Sequence, residues 1–371
     1  MIAIEIFAGA GALAAGFRKA GIEFAWSLDN DPNACTTYEV NLGRRPVQME
    51  VRDLLKVVSL GFRFPGLHLL VADPPCTPYS RAGKKKTTGD PRDRLLEVIE
   101  IIRLLRPAAY LVGNLPGLED APNLGLVQRT FGSLIREGYC VADFANLDAA
   151  SYGVPQKRSR PYWFGHQHGI PCLSWPLPTH GDPKDDAVAS PLPGMPSLRP
   201  WVTCRDALGH LPAELIGRPV HANRSKSQGM RLGDPEIPAS VVTGKFSRVG
   251  VGAGHVFTWP WDRPATTVCV GDTMANFGRN GRAGDPQRGD PNAIVLSETA
   301  GAILQGFPEG WKFYGGTKKS RWSQIGQAVP IAVAEAIGRS VLKALLRGFG
   351  PQILNEPARG PGVRDNERSE A

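Results

Sequence analysis

The feature that most constrains this sequence is the alternation, over its first 165 residues, of short apolar runs with amphipathic stretches of helical period. Strands read as Ile2–Phe7, Phe24–Leu28, Leu67–Ala72, Ala109–Val112, Tyr139–Asn146 and Tyr162–Gly165, with helices between them. Runs that are apolar almost throughout suit strands buried on both faces, and such strands separated by helices fold as a mostly parallel sheet covered on both sides. The clearest helix is Arg94–Leu105, where Leu95, Val98, Ile99, Ile102 and Leu105 recur at helical spacing and Pro107 follows the end. The expected class is therefore α/β.

Composition narrows the partners. With 371 residues, 42% of them hydrophobic and 21% charged, the chain is long enough to bury a core. No stretch approaches the roughly 20 uninterrupted apolar residues of a spanning helix, so no membrane partner is expected. A net charge of +8 suits a polyanion without requiring one. The six cysteines, Cys35, Cys76, Cys140, Cys172, Cys204 and Cys269, are scattered and form no CxxC pair, which fits a reducing cytoplasm and no metal site. Met1–Phe7 leads straight into a strand without the pattern of a secretory leader.

Composition shifts near Gly165. Ile170–Pro200 carries a proline every few residues, and the stretch to about residue 262 is rich in Gly, Pro, Arg and His. The expected organisation is a first domain over 1–165, a loop-rich second domain over 166–262 and a return segment over 263–324. An apolar helix over 325–346 would complete the first domain, and a polar tail, 347–371, would follow it.

Three segments carry chemistry. The first strand ends in Phe7-Ala8-Gly9-Ala10-Gly11-Ala12, a small-residue turn at a helix N-terminus where backbone can approach a ligand. The third glycine of a dinucleotide fingerprint would fall at Ala14, so a nicotinamide dehydrogenase is disfavoured. By itself the turn fits tight strand–helix packing equally well. Asp29 ends the second strand, where an acid commonly holds ribose hydroxyls, and Asp53 follows the next strand in a loop that would reach an adenine amino group. Asp73-Pro74-Pro75-Cys76 follows Leu67–Ala72 at the carboxyl end, where open α/β sheets place their sites. Alone it fits a rigid turn with an inert thiol. The cluster Arg81, Lys84, Lys85, Lys86, Arg92 and Arg94 beside it favours a thiolate and contact with phosphate. Gln156-Lys157-Arg158-Ser159-Arg160 crowds cations before another strand, as a substrate-binding edge or as a solvated edge that deters strand pairing.

In order, these segments resemble the DNA (cytosine-5) methyltransferase family, from Ile4 to about Leu346. Arg263–Val268 resembles that family's RPxTT segment, Leu304–Pro308 its LQGFP run, and Gly326–Pro330 its GNxVP element with Gln327 in place of Asn. The resemblance implies a Rossmann-like S-adenosylmethionine-dependent domain with a target-recognition domain in 166–262. It implies a cofactor site of Phe7, Gly9, Gly11, Asp29, Asn30, Asp53, Leu54, Pro75, Leu95, Gln327 and Val329, with S-adenosylhomocysteine as product. Cys76 would be the nucleophile that adds to C6 of a flipped cytosine, with Asn114, Arg158 and Arg160 around the base. Ser80, Arg81, Lys84, Lys85, Lys86, Arg92 and Gln156 would contact double-stranded DNA. The implied protein is prokaryotic, cytoplasmic, monomeric on DNA and part of restriction-modification or phage defence.

One position departs from the family. Where its Glu-Asn-Val tripeptide is expected, the chain reads Gly113-Asn114-Leu115, although Asn114, Pro116, Gly117 and Leu118 keep the register. The missing Glu holds the N3 side of the cytosine, and losing such a group typically costs on the order of 10²- to 10⁴-fold in rate. Gly113 fits an engineered trap, natural weak chemistry or replacement by another acid. Replacement is the least favoured reading, because Glu119 and Asp120 lie too far along the turn. Two alternatives accompany the leading function: a weak or inactive DNA-binding homologue, and a transfer RNA cytosine-5 methyltransferase.

Overall fold

The computed structural model describes residues 1–74, 94–113, 121–141, 144–183, 197–219, 241–242, 258–259, 264–265, 294–355 and 362–363. The chain divides into two compact units. The first comprises Met1–Asn146, Arg160–Pro176 and Ala334–Ala371, the second Leu147–Ser159 and Leu177–Val333.

The first unit is built on an eight-stranded sheet. Its strands are β1 (Ile2–Ile6), β2 (Trp26–Asp29), β3 (Val47–Gln48), β5 (Leu67–Ala72), β6 (Ala109–Gly113), β7 (Tyr139–Val141), β8 (Ala145–Asp148) and β9 (Ser159–Gln167), and a short strand β4 (Phe62–Arg63) lies apart. The order is β3-β2-β1-β5-β6-β9-β7, with β8 pairing to β9 off this path. From β3 to β6 every pairing is parallel, whereas β9 runs antiparallel to both β6 and β7. The helices of this half are α1 (Ala12–Lys19), α2 (Pro32–Leu42), α3 (Val51–Ser59), α4 (Leu95–Leu105) and α5 (Ala121–Arg136).

The two-residue period of a strand divides its side chains between faces. Ile2, Ile4 and Ile6 of β1, Leu70 and Ala72 of β5, and Tyr110 and Val112 of β6 join a core with Leu54 and Val58 of α3, Val98 and Ile102 of α4, and Phe131 and Leu134 of α5. The intervening residues Ala3, Leu69, Val71 and Leu111 are buried as well, so the sheet is covered on both sides. Helix Ile331–Phe349, which belongs to the first unit from Ala334 onward, lies along α1 with Phe17 and Ala20 nearest to Gly338.

Several expectations shift. The run Tyr139–Asn146 divides into β7 and the start of β8, and β9 extends beyond Tyr162–Gly165 at both ends because its polar members Arg160 and His166 are buried. Asp53 lies in the first turn of α3 and not in a loop. The apolar stretch after Gly326 is not one helix: Lys318–Gln327 ends at Ala328 in extended backbone, and a second helix starts at Ile331. Pro330 explains the break, since a proline disfavours helical geometry in the residue before it. Part of the expected polar tail is tied down, with Ile353 buried and Gly362–Val363 pairing antiparallel with β4.

The second unit has short elements. His180–Gly181 pairs in parallel with Arg199–Pro200, and Gly217–Pro219, Ile294–Leu296, Val241–Val242 and Thr258–Trp259 form a four-stranded sheet in that order. Helix Cys204–Leu208 starts from a Thr203/Asp206 capping box. No described helix is long and apolar enough to cross a membrane.

Leu70 sits at the middle of β5 between β1 and β6 and is completely buried. Leu70→Ala is expected to destabilise the chain by about 2–5 kcal/mol, read as a lower urea midpoint.

Candidate active site

Strands β1 and β5 are parallel neighbours, but the chain leaves β1 toward β2 and leaves β5 toward β6. Such a divergence opens a crevice beyond the carboxyl ends of the strands, where open α/β sheets bind ligands. Both motif-bearing strand ends meet there: the Asp73 amide donates to the Ile6 carbonyl at 3.4 Å.

The turn after β1 is conformationally unusual. Phe7, Gly9 and Gly11 have φ of +65°, +53° and +88°, the left-handed region that favours glycine. Phe7 is there without that freedom, a strain that folded chains retain mainly at functional positions. A Cβ on Gly11 would stand 2.8 Å from Leu42 Cδ1 and 3.1 Å from Tyr38 Cδ2, so only glycine fits. At Gly9 no described atom lies within 4 Å of the Cβ position, which leaves its backbone open to a ligand.

Asp29 holds this turn. Its Oδ2 accepts from the Gly9 amide at 2.7 Å and its Oδ1 from the Asp31 amide at 2.8 Å. Burial pushes its carboxyl above the ordinary value, and the backbone donors oppose that shift. Asn30 donates to Glu50 at 2.8 Å. The Asp53 side chain is half exposed and paired with Lys56 at 2.8 Å, while Leu54 and Leu95 are buried in the core.

Glu5, in the middle of β1, lies wholly within this apolar framework. The Tyr38 hydroxyl donates to it at 3.4 Å, Ser27 lies 3.1 Å from that hydroxyl, and the Tyr38 ring lies under Gly11. Burial raises the Glu5 carboxyl to about 8. The folded chain thus keeps a proton that the unfolded chain releases near pH 4.5, and the resulting stability is complete below that pH and lost as pH rises to about 8. Glu5→Gln is expected to remove this descent, so urea midpoints of the two proteins should diverge from pH 4.5 to 8 and run parallel above it.

At the carboxyl end of β6, Gly113 faces Asp73 and Tyr162. A Cβ at residue 113 would stand 2.8 Å from Asp73 Oδ1 and 3.0 Å from Tyr162 Cε1. Arg160, buried, donates from Nη1 to Asp73 Oδ2 in an ion pair. Asp73 Oδ1 is buried without a hydrogen-bond partner among the described residues.

Within the second unit, segments distant in sequence interlock. Gln156 Nε2 donates to the Leu304 carbonyl at 3.1 Å and to Gln305 Oε1 at 2.8 Å. Arg158 Nη2 donates to the Gly326 carbonyl at 2.8 Å, and the Lys157 amide to the Ala265 carbonyl at 2.7 Å. Gln156 and Arg158 are thus both buried among protein partners. Gln327 is exposed and reaches Ser323, while Val329 is buried.

Pro75, Cys76, Ser80, Arg81, Lys84, Lys85, Lys86, Arg92 and Asn114 lie outside the described residues. Sequence reasoning assigned no role to Asp73, although it quoted the residue. The available signal was the parallel register Ala72↔Val112, which places Asp73 beside Gly113.

Comparison with known proteins places the chain in a family. The sequence profile described as C-5 cytosine-specific DNA methylase matches residues 1–343. The type II methyltransferase M.MthTI of Methanothermobacter thermautotrophicus is 28% identical over 358 residues, covering 92% of this chain and 97% of that protein. M.NgoMIV of Neisseria gonorrhoeae, also a type II methyltransferase, is 28% identical over 344 residues, with 92% and 97% covered. Among solved structures, the Dnmt2 methyltransferase of S. pombe shares the fold with a TM-score of 0.60 at 16% identity, covering 93% of this chain and 99% of that one. With a Gly-rich turn clamped by Asp29 at the switch point, and a family match spanning nearly the whole chain, this protein belongs to the C-5 cytosine-specific DNA methylases.

Proposed function

We propose that this chain transfers a methyl group from S-adenosylmethionine to C5 of a cytosine flipped out of duplex DNA, within restriction-modification or phage defence and as a monomer on its DNA. The observation that carries this reading is the open turn at Gly9, clamped by Asp29, at the strand end adjoining the one that leads into Asp73-Pro74-Pro75-Cys76. The turn fits the cofactor: the clear space before Gly9 admits a ligand against backbone, and Asp29 keeps lone pairs for hydroxyl donors. Phe7, Gly9, Gly11, Asp29 and Asn30 would hold it, with Asp53 and Pro75 nearby, while Leu54 and Leu95 pack the core behind the turn. When bound, S-adenosylmethionine supplies an electrophilic sulfonium methyl.

The chain's own residues do the rest. The Cys76 thiolate adds to C6 of the pyrimidine and makes C5 nucleophilic. Because C5 and C6 are hard to reach inside a duplex, the base must leave the stack. The cations Arg81, Lys84, Lys85, Lys86 and Arg92, with Ser80, serve the DNA, and Arg160 serves the base, whereas Gln156 and Arg158 are buried and tie together the segments of the second unit. Residues 166–262 read the DNA sequence. Gly113 lowers the rate unless another group replaces the family Glu.

The test is transfer of label from S-adenosylmethionine to mixed-sequence duplex DNA, with the methylated base identified by mass spectrometry. 5-Methylcytosine is expected from the wild-type chain, and none from Cys76→Ala. Asp29→Ala, which removes a charged hydrogen-bond acceptor, should weaken S-adenosylmethionine binding by calorimetry about ten- to a hundredfold. Methylation of transfer RNA alone, or binding of DNA and cofactor with no transfer by wild type or Gly113→Glu, would replace this reading.

A further inference from the structure

We propose that the carboxyl group of Asp73 replaces the missing Glu of position 113: it meets the N3 edge of the target cytosine and gives N3 a proton as Cys76 adds to C6. The assignment rests on the cytosine-methylation reading above.

Three observations carry it. The first is position. Strands β5 and β6 are parallel in the register Ala72↔Val112, so Asp73 and Gly113 emerge side by side, and Cys76 follows Asp73 after two prolines. The second is exclusion. Asp73 Oδ1 stands 2.8 Å from where the first side-chain atom of residue 113 would be. A Glu at 113 and this carboxylate cannot both be present without one moving, and two carboxylates so close repel. Glycine at 113 therefore leaves room for a carboxyl supplied by the neighbouring strand.

The third observation is how the carboxyl is held. Arg160 fixes Oδ2, while Oδ1 is buried without a hydrogen-bond partner among the described residues. A buried acceptor without a partner costs roughly 1–3 kcal/mol, and such groups concentrate where a ligand completes them. One oxygen is clamped by a buried guanidinium, and the other stands at the place where the side chain of residue 113 would begin, beside the Tyr162 ring, which is the geometry of a positioned acid.

The step balances. The Asp73 carboxylate, paired with Arg160, takes a proton from solvent as the base is seated and presents it to N3, and the Cys76 thiolate forms the S–C6 bond. The C5=C6 pair becomes C4=C5, the C4=N3 pair moves onto N3, and N3 takes the carboxyl proton. When C5 gives its pair to the incoming methyl, N3=C4 reforms and the proton returns to Asp73. The C5 hydrogen then leaves to solvent hydroxide, C5=C6 closes and Cys76 departs as thiolate.

The experiment measures single-turnover methylation of mixed-sequence duplex DNA by wild type, Asp73→Asn, Gly113→Glu and the double variant Asp73→Gly/Gly113→Glu, from pH 5.5 to 9. Thermal melts and cofactor affinity are recorded for each. Asp73→Asn keeps an acceptor for Arg160 but has no proton to give. It is expected to bind cofactor as wild type does, to lose on the order of 10²- to 10⁴-fold in rate, and to lose the fall in rate toward high pH that an acid required in its protonated form imposes. Gly113→Glu alone should not raise the rate, because the new side chain meets Asp73. The double variant should regain activity to within about tenfold of wild type, a recovery that damage to folding would not produce. Full activity of Asp73→Asn, a Gly113→Glu single variant faster than wild type, or a double variant as slow as Asp73→Asn would each overturn the assignment of Asp73 while leaving cytosine methylation intact. A wild-type chain and a Gly113→Glu variant that both fail to methylate cytosine would instead overturn the function, and this assignment with it.

Discussion

The first unit depends on the divergence of the chain at β1 and β5. The two strands are hydrogen-bonded in parallel, yet one hands the chain leftward and the other rightward through the sheet. Covering helices therefore part above their carboxyl ends, and the backbone there must finish in turns. The turn after β1 becomes the left-handed Phe7–Gly11 bend, and the turn after β5 begins with Asp73. β6 adds Gly113 at the same end because it too is parallel. β9 brings Arg160 there for the opposite reason: it runs antiparallel, so its beginning lies against the end of β6, with Tyr162 opposite Gly113.

How far the site can be read from sequence follows from this geometry. Apolar runs announce strands, and the Gly-rich turn announces itself, because both signals are local. The reading missed what depends on pairing. Asp73 gains meaning only from the parallel register that puts it beside Gly113, and the sequence separation of these two residues hides that. Glu5 is a single acid in an apolar run, and only the fold shows it wrapped by Ser27 and Tyr38. Arg158 and Arg160 invited an exposed basic edge, but both are buried, one on a carbonyl and the other on a carboxylate.

The same distinction between local and distant signals governs boundaries. The helix break at Ala328–Pro330 was legible from Pro330 itself, but the apolar pattern that follows it outweighed that signal. Strand β9 ran longer than its apolar centre because buried polar residues do not show in a hydrophobic pattern. Residues 351–363 looked like polar tail, yet Ile353 and the pairing with β4 depend on a surface made by residues near the beginning of the chain.

The hydrogen-bonded knot of Gln156, Lys157, Arg158, Ala265, Leu304, Gln305 and Gly326 has a bearing on synthesis. Its donors leave the ribosome long before the last of its acceptors. The first unit waits similarly for its closing helix, which enters it only from Ala334. Neither unit can reach its final packing from the N-terminal half alone, so a nascent or prematurely terminated chain carries an incomplete catalytic framework. The framework closes only once the residues from Ala334 onward have emerged.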